Sequence, residues 1–224
     1  MIYNIPVELT PKEIAIYKKT QNSYLYYEHI LGGKFSAWQE SANRLKKDSE
    51  YNQDQKKEAM GFLRAINKRK SILHNAINKI ELTKTILDKY PDRKSIIFCE
   101  SILFAEKIDT LLDKQSVIYH SKMTVKQKKE AINNFKDNTF KCNVLTSVRA
   151  LDAGVDISGV NLGICAAGSS KSLQSIQRLG RSVRINVNGT IAYYFNLYVK
   201  NTQEEKWLKS RCYNIPNVEW IDYL

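Results

Sequence analysis

Apolar residues in the second half of the chain form short runs separated by stretches of helical periodicity. The runs resemble buried strands and lie at residues 96–99, 117–119, 143–146, 162–166 and 190–197. Between them, apolar residues return every three or four positions, as they do along a helix packed on one face. Thr124-Val125-Lys126-Gln127 has the form of a capping box, which predicts the start of one of these helices. Short strand–helix repeats favour a parallel sheet covered by helices on both faces. We therefore predict an α/β fold for residues 95–224.

Residues 1–94 have a different pattern. Residues 5–9 alternate like an edge strand, and Thr10-Pro11-Lys12-Glu13 is a strong helix start, with proline in the first turn and a capping glutamate. From residue 56 to about residue 90, apolar positions recur at helical spacing, which predicts one or two long amphipathic helices. We expect an N-terminal strand plus a helical extension over residues 1–94.

Composition narrows the class of protein without deciding it. The 224 residues carry a formal net charge of +12, and a basic surface favours polyanions such as nucleic acid. Charge alone does not separate a nucleic-acid-binding protein from a soluble basic one. The four cysteines and three histidines lack metal-ligand spacing, so no metal site is predicted.

Neither a membrane span nor a secretory signal is predicted. No apolar run reaches the 18 or more residues that a bilayer requires, and the first residues do not form a signal peptide. We expect an intracellular protein in the cytoplasm or another compartment that holds nucleic acid, with a phage gene left open as its source.

Two motifs carry candidate chemistry. The first is Gln177-Arg178-Leu179-Gly180-Arg181-Ser182-Val183-Arg184, in which two arginines three residues apart share one helix face. Paired guanidinium groups suit a polyphosphate, since each makes bidentate, charge-assisted hydrogen bonds. A solvated basic helix is the alternative. The second motif, residues 144–157, reads as a buried strand ending near Thr146 and Ser147, followed by a turn.

Together these motifs resemble motifs V and VI of superfamily-two helicases, which belong to the second RecA-like lobe of those enzymes. Residues 96–101 resemble motif IV, and Tyr119-His120-Ser121 stands where the family has its His-Gly element. A looser likeness at residues 7–17 is to the entry of this lobe in Swi/Snf-like translocases. The resemblance implies a RecA-like parallel sheet with helices on both faces, preceded by the N-terminal helical extension, and a helicase C-terminal lobe at 95–224.

The resemblance also implies a nucleotide site. Arg181 and Arg184 match the arginine fingers that stabilise charge on the γ-phosphate, and Gln177 matches the residue that couples the nucleotide to the facing lobe. Other residues implied near the nucleotide are Gly154, Asp156 and Arg178. A plain turn cap is the alternative role for Asp156.

A nucleic-acid contact is implied at the ends of the strands. The residues that match the family's backbone-contacting positions are Thr146, Ser147, His120, Ser121, Glu100 and Ser101. Neutral hydroxyl groups hold a phosphate backbone without reading its sequence. The alternatives are a strand-end cap for the hydroxyls, a locally satisfied histidine, and a simple helix N-cap at Ser101.

Half of the nucleotide site is missing from this sequence. In the family, a first lobe supplies the phosphate-binding G-x-x-x-x-G-K-[ST] loop and an acidic box that holds Mg²⁺. Neither occurs here, so ATP and Mg are expected to be bound mainly by an N-terminal lobe that acts in cis or in trans. We predict the motor lobe of an ATP-dependent helicase or translocase whose partner is nucleic acid, with DNA expected, and which is inactive alone. The alternative is a non-catalytic nucleic-acid-binding or regulatory module that retains the fold.

Overall fold

The computed structural model describes residues 1–30, 53–113, 116–137, 143–149, 159–167, 191–213 and 215–224. They contain a seven-stranded sheet in which all neighbouring strands run parallel, in the order β3-β4-β2-β5-β6-β1-β7. The strands are β1 (Ile2–Val7), β2 (Ser95–Cys99), β3 (Ser116–His120), β4 (Val144–Val148), β5 (Leu162–Cys165), β6 (Tyr193–Val199) and β7 (Val218–Trp220). The parallel sheet expected from the strand–helix repeats is confirmed.

The described helices are α1 (Pro11–Ile30), α2 (Gln53–His74), α3 (Ile77–Lys89), α4 (Ile102–Leu111), α5 (Val125–Lys136) and α6 (Gln203–Cys212). The pair α2 and α3 confirms the helical prediction for residues 56–90. The chain divides into two compact units. A sheet unit contains Met1–Glu8 and His74–Leu224, and a helical unit contains Leu9–Leu73.

Helices cover both faces of the sheet. On one face, Ile80 of α3 and Phe104 of α4 share a buried core with Ile97 of β2. On the other face, Phe135 of α5 packs with Phe98, the next residue of β2. Because successive strand residues point to opposite sides, side chains at adjacent positions of one strand pack in two separate cores. Such burial on both faces explains why the strands read as continuous apolar runs.

The edge strand expected at residues 5–9 begins earlier in the structure, and only its second half is an edge. The strand spans Ile2–Val7 and lies between β6 and the short β7, so its first half is paired on both sides. The N–H of Ile2 and the carbonyl of Asn4 bond toward the β7 side. Pro6, two residues further on, therefore has its missing N–H on that side, beyond the last β7 pairing at Asn4. The proline is tolerated because only that end of the strand is an edge.

Two predicted helix starts are formed as the sequence indicates. The Thr10 N–H donates to the Glu13 carboxylate at 2.8 Å, and the Glu13 N–H donates back to the Thr10 hydroxyl at 3.4 Å. At α5, Thr124 and Gln127 form a reciprocal capping box. Each pair satisfies N–H groups that the first turn of a helix leaves without partners.

The helical unit is held together by aromatic packing between α1 and α2. The Tyr24 ring stacks on Phe62 with centroids 5.5 Å apart, and the Arg69 guanidinium lies 4.2 Å from the centroid of the same ring. The Tyr24 hydroxyl donates to Glu28 at 2.6 Å. Burial, reinforced by this bond to a carboxylate, raises the pKa of Tyr24 to about 12. The phenol stays protonated at neutral pH.

Candidate nucleic-acid interface

The carboxyl ends of β2, β3 and β4 meet at one edge of the sheet. In the strand register, Cys99 of β2 is level with Val148 of β4, which is level with His120 of β3. The residues that follow these positions therefore leave the sheet side by side. In parallel α/β sheets, ligands bind outside this edge. The structure thus brings the predicted residues after β2 and at the end of β3 to a common edge.

Arg149 ties two of these strand ends together. Its N–H donates to the carbonyl of Cys99 at 2.8 Å, and its Nε donates to the carbonyl of Glu100 at 3.4 Å. The backbone of Arg149 is in the left-handed region, with φ of 71°, and its side chain is exposed. A non-glycine residue in that conformation is uncommon and is often part of a functional turn. Sequence reasoning assigned no role to Arg149, although its place directly after β4 was a usable signal.

Thr146 and Ser147 lie inside the sheet rather than at its surface. Thr146 is level with Ile97 and so belongs to the face covered by α3 and α4, whereas Ser147 is level with Phe98 on the α5 face. The two residues are 0% and 1% exposed, and neither hydroxyl has a hydrogen-bond partner. Contact between these hydroxyls and a phosphate stays a prediction, and it requires the side chains that cover them to move.

Glu100 and Ser101 connect β2 to α4. Ser101 is the N-cap residue, with extended φ of −134° and ψ of 131°, and its side chain makes no capping hydrogen bond. Its carbonyl accepts the N–H of Ala105 at 3.2 Å, so the backbone begins the helix. Both residues are partly exposed at the carboxyl edge. The Ser101 hydroxyl is therefore not used in capping, which fits a polar contact at this edge.

His120 and Ser121 end β3 beside this connection. The His120 N–H donates to the Met123 sulfur at 3.3 Å, while its Nδ1 is buried and has no hydrogen-bond partner. Ser121 is exposed. The turn is therefore fixed through its backbone, and the serine hydroxyl faces solvent where the family has glycine.

The thiol of Cys99 lies behind this edge and is unreactive at neutral pH. Burial raises the pKa of Cys99 to about 12, so the group is a thiol at neutral pH rather than a nucleophilic thiolate. Its Sγ is 3.5 Å from the Ser101 carbonyl and 3.7 Å from that of Ser147. Cys99 acts here as a small packing residue.

The predicted nucleotide residues lie outside the described part of the chain. These are Gln177, Arg178, Arg181, Arg184, Gly154 and Asp156. Their roles stay predictions. Among the described residues, no group of three or more His, Cys, Asp or Glu side chains is arranged to hold a metal ion. No helix in the described ranges has the length and apolar character needed to cross a membrane.

The sequence of residues 78–186 matches the family described as helicase conserved C-terminal domain. This segment includes β2, β3, β4 and β5 and therefore the edge described above. The match supports a superfamily-two helicase C-terminal lobe in this segment of the chain. The family resemblance found in the sequence motifs is confirmed.

Two relatives that match part of the chain are named as a translocase and a helicase. The DNA 3'-5' translocase XPB2 of Sulfurisphaera tokodaii is 31% identical over 128 residues, covering 57% of this chain and 28% of that protein. The ATP-dependent RNA helicase ROK1 of Meyerozyma guilliermondii is 34% identical over 114 residues, covering 50% of this chain and 20% of that protein. The chain thus spans less than a third of the length of these relatives.

The fold of the helicase lobe has solved counterparts. The C-terminal domain of the Sulfolobus solfataricus SWI2/SNF2 ATPase superposes with a TM-score of 0.60 at 17% identity, covering 94% of this chain and 86% of that domain. A likeness at that level of identity shows shared architecture. It confirms the predicted RecA-like sheet with helices on both faces.

Proposed function

We propose that this chain is the C-terminal motor lobe of an ATP-dependent DNA helicase or translocase. Its carboxyl edge holds the backbone of the nucleic acid, and its arginines reach ATP bound by an N-terminal lobe. The observation that carries the proposal is the coincidence of the family match at 78–186 with the edge where β2, β3 and β4 end together. A parallel α/β sheet places its functional groups at that edge.

The described edge offers groups suited to phosphate contact. Arg149 presents a guanidinium that cannot lose its charge, and Ser121 presents an exposed hydroxyl. Arginine and serine are common donors to phosphate oxygens, and such contacts position a protein without reading base sequence. This suits a protein that moves along a strand, and it implies binding that weakens steeply as salt rises.

For the nucleotide, the proposal assigns Arg181 and Arg184 as the charges that stabilise the γ-phosphate as its bond breaks, an effect of about 10³–10⁵ in rate in other nucleoside triphosphatases. Gln177 couples that site to the facing lobe. Gly154, Asp156 and Arg178 line the nucleotide side of this lobe. Mg²⁺, held with ATP by the N-terminal lobe, supplies charge neutralisation at the phosphates.

The test joins this chain to its N-terminal lobe, in one polypeptide or as a mixture, and measures ATP hydrolysis with and without duplex DNA or RNA. We expect stimulation by nucleic acid, with DNA the better activator. Arg181→Ala should lower kcat about 10³-fold. Lys89→Ala, at an exposed lysine in the last turn of α3, is the matched control and should retain the parent rate.

The outcomes separate the candidate functions. Hydrolysis that persists unchanged in Arg181→Ala would show that the arginine assignment is wrong. Nucleic-acid binding with no hydrolysis in any pairing of lobes would favour a non-catalytic module that retains the fold. Stronger stimulation by RNA would reassign the substrate while leaving the motor intact.

A further inference from the structure

The helical unit carries a row of cations along one face of α2. Lys57, Arg64 and Lys68 are all exposed. Steps of seven and four residues correspond to about two turns and just over one turn of helix, so the three side chains project within about 40° of one another. From the first to the last, the row covers roughly 16 Å at 1.5 Å per residue.

A tyrosine from α1 lies in the middle of this row. A methyl carbon placed on Gly61 would come within 2.5 Å of the Tyr27 hydroxyl oxygen and 2.7 Å of its Cε1. Only a residue without a side chain allows the Tyr27 ring to lie this close to α2. Gly61 falls between Lys57 and Arg64 along the helix, so the partly exposed phenol lies level with the middle of the row.

The ion pairing of the row with nearby carboxylates is weak. Lys57 pairs with Asp54 at 3.3 Å, but both side chains are 76% exposed. An exposed pair of this kind is worth less than about 1 kcal/mol, so a phosphate replaces the carboxylate at little cost. In the described part of the chain, Arg64 and Lys68 make no ion pair.

The row is not the basic triplet that the sequence displays at residues 68–70. Arg69 stacks over Tyr24, and its Nε is buried. Lys70 projects about 120° away from Arg64 around the helix axis. Only Lys68 of the triplet belongs to the row, so the spacing along the helix, rather than the local run, defines the surface.

We propose that this cationic row (Tyr27, Lys57, Arg64 and Lys68) binds the phosphate backbone of duplex nucleic acid. Three fixed cations and a phenolic donor match the groups that proteins use to position a backbone. A row of roughly 16 Å extends past several phosphates at a rise of about 3.4 Å per nucleotide along one strand. The inference rests on the proposed function only in taking nucleic acid as the partner. It adds a second nucleic-acid-binding surface, outside the residues 78–186 that match the helicase C-terminal domain.

The test uses the full chain and fluorescence anisotropy of a labelled duplex DNA over a series of KCl concentrations. The variant Lys57→Gln/Arg64→Gln/Lys68→Gln should lower the slope of log K against log salt by about 2–3, since each phosphate that is no longer neutralised accounts for about 0.9. The matched control, Lys89→Gln/Lys107→Gln/Lys206→Gln, removes the same charge from exposed positions of the sheet unit and should keep the parent slope.

A second variant tests the tyrosine. Tyr27→Phe removes only the hydroxyl and should weaken binding about two- to tenfold at fixed salt, the effect of one hydrogen bond. Its salt slope should not change, because the charge of the protein is the same. Far-UV circular dichroism matching the parent protein shows that each variant is folded.

Three results would overturn the proposal. They are absence of duplex binding by the parent chain at low salt, a triple variant with the parent slope, and a control whose slope falls as far as that of the triple variant. Loss of binding to poly-glutamate with unchanged DNA binding would assign the row to an acidic protein instead. Failure of the ATPase test refutes the motor function alone, because this measurement needs neither ATP nor a second lobe.

Discussion

Replacing Glu204 by glutamine should destabilise the sheet unit, because it leaves the buried ammonium of Lys79 without its counter-ion. The side chains of Lys79 and Glu204 are 0% and 4% exposed. The Lys79 Nζ donates to both carboxylate oxygens, at 2.9 and 2.7 Å. The carboxylate also accepts the Val199 N–H at 3.0 Å. One ion pair thus joins α3, α6 and the end of β6.

The expected decrease in the free energy of unfolding is about 3 kcal/mol. Removing one partner of a buried pair costs about 3–5 kcal/mol, because the remaining charge is desolvated and uncompensated. Glutamine keeps the shape of the side chain and an acceptor for the Val199 N–H, which places the change at the lower end of that range. For a unit of this size, the decrease corresponds to roughly 6–12 °C in Tm.

The assay is urea unfolding followed by tryptophan fluorescence, since Trp207 and Trp220 both belong to the sheet unit. The double variant Lys79→Met/Glu204→Gln should recover much of the stability, because no buried charge remains at this pair. Asp88→Asn is the control. It breaks an exposed pair with Lys84, at 2.7 Å with side chains 37% and 59% exposed, and should cost less than about 1 kcal/mol.

Two results would refute this reasoning. One is a decrease below about 1 kcal/mol for Glu204→Gln. The other is a double variant no more stable than Glu204→Gln alone, since the two substitutions must be coupled if Lys79 is desolvated beside its partner.

Two further predictions concern buried side chains of the sheet. Burial raises the pKa of Cys99 to about 12, so the thiol ionises at lower pH in the unfolded chain than in the folded one. The free energy of unfolding should therefore fall by about 1.4 kcal/mol per pH unit as pH rises from about 8.5 toward 12. Urea unfolding across that range measures this pH dependence, which Cys99→Ala should reduce; an equal pH dependence in the two proteins would contradict the burial. Gly163→Val should cost about 1–3 kcal/mol, because a Cβ there would lie 2.8 Å from Cε2 of Tyr194 on the adjacent strand; thermal unfolding measures the decrease, and Gly163→Val combined with Tyr194→Ala should be less destabilised than the sum of the two single variants.

Local signals in the sequence predicted the helix starts, because capping joins residues only three positions apart. The Thr10–Glu13 and Thr124–Gln127 pairs are examples. The apolar runs predicted strands for a similar reason, since period and length are visible in a short window. Pairing of strands is a long-range property. The pattern of β1 indicated a strand, but its neighbours come from the other end of the chain.

The sequence predicted where the candidate site lies but not which of its side chains are exposed. Motif order placed Thr146 and Ser147 near the carboxyl edge, yet the register puts both hydroxyls inside the sheet. Arg149, the next residue but one, is the exposed group. Which residue of a strand end emerges depends on the turn geometry, here a left-handed residue that no short pattern specifies.

The buried ion pair had no sequence signal. Lys79 lies 125 residues from Glu204, and each looks like an ordinary charged residue of an amphipathic helix. Only the packing of α3 and α6 around the end of β6 brings the two charges together. The cationic row of α2 was missed although its residues are close together in the sequence. The basic triplet at residues 68–70 draws attention to adjacent residues, whereas a helix brings together residues about one turn apart.

The position of β1 also has a consequence for synthesis. Asn4 of this strand and its partner Asn196, joined side chain to side chain at 2.8 Å, are 192 residues apart. At a ribosome speed of roughly 5–20 residues per second, the first strand waits on the order of 10–40 s for its neighbour. During that interval both of its edges are open to other chains. Pro6 removes a backbone donor from one of those edges, and natural sheets use proline at edges in this way against association with other strands.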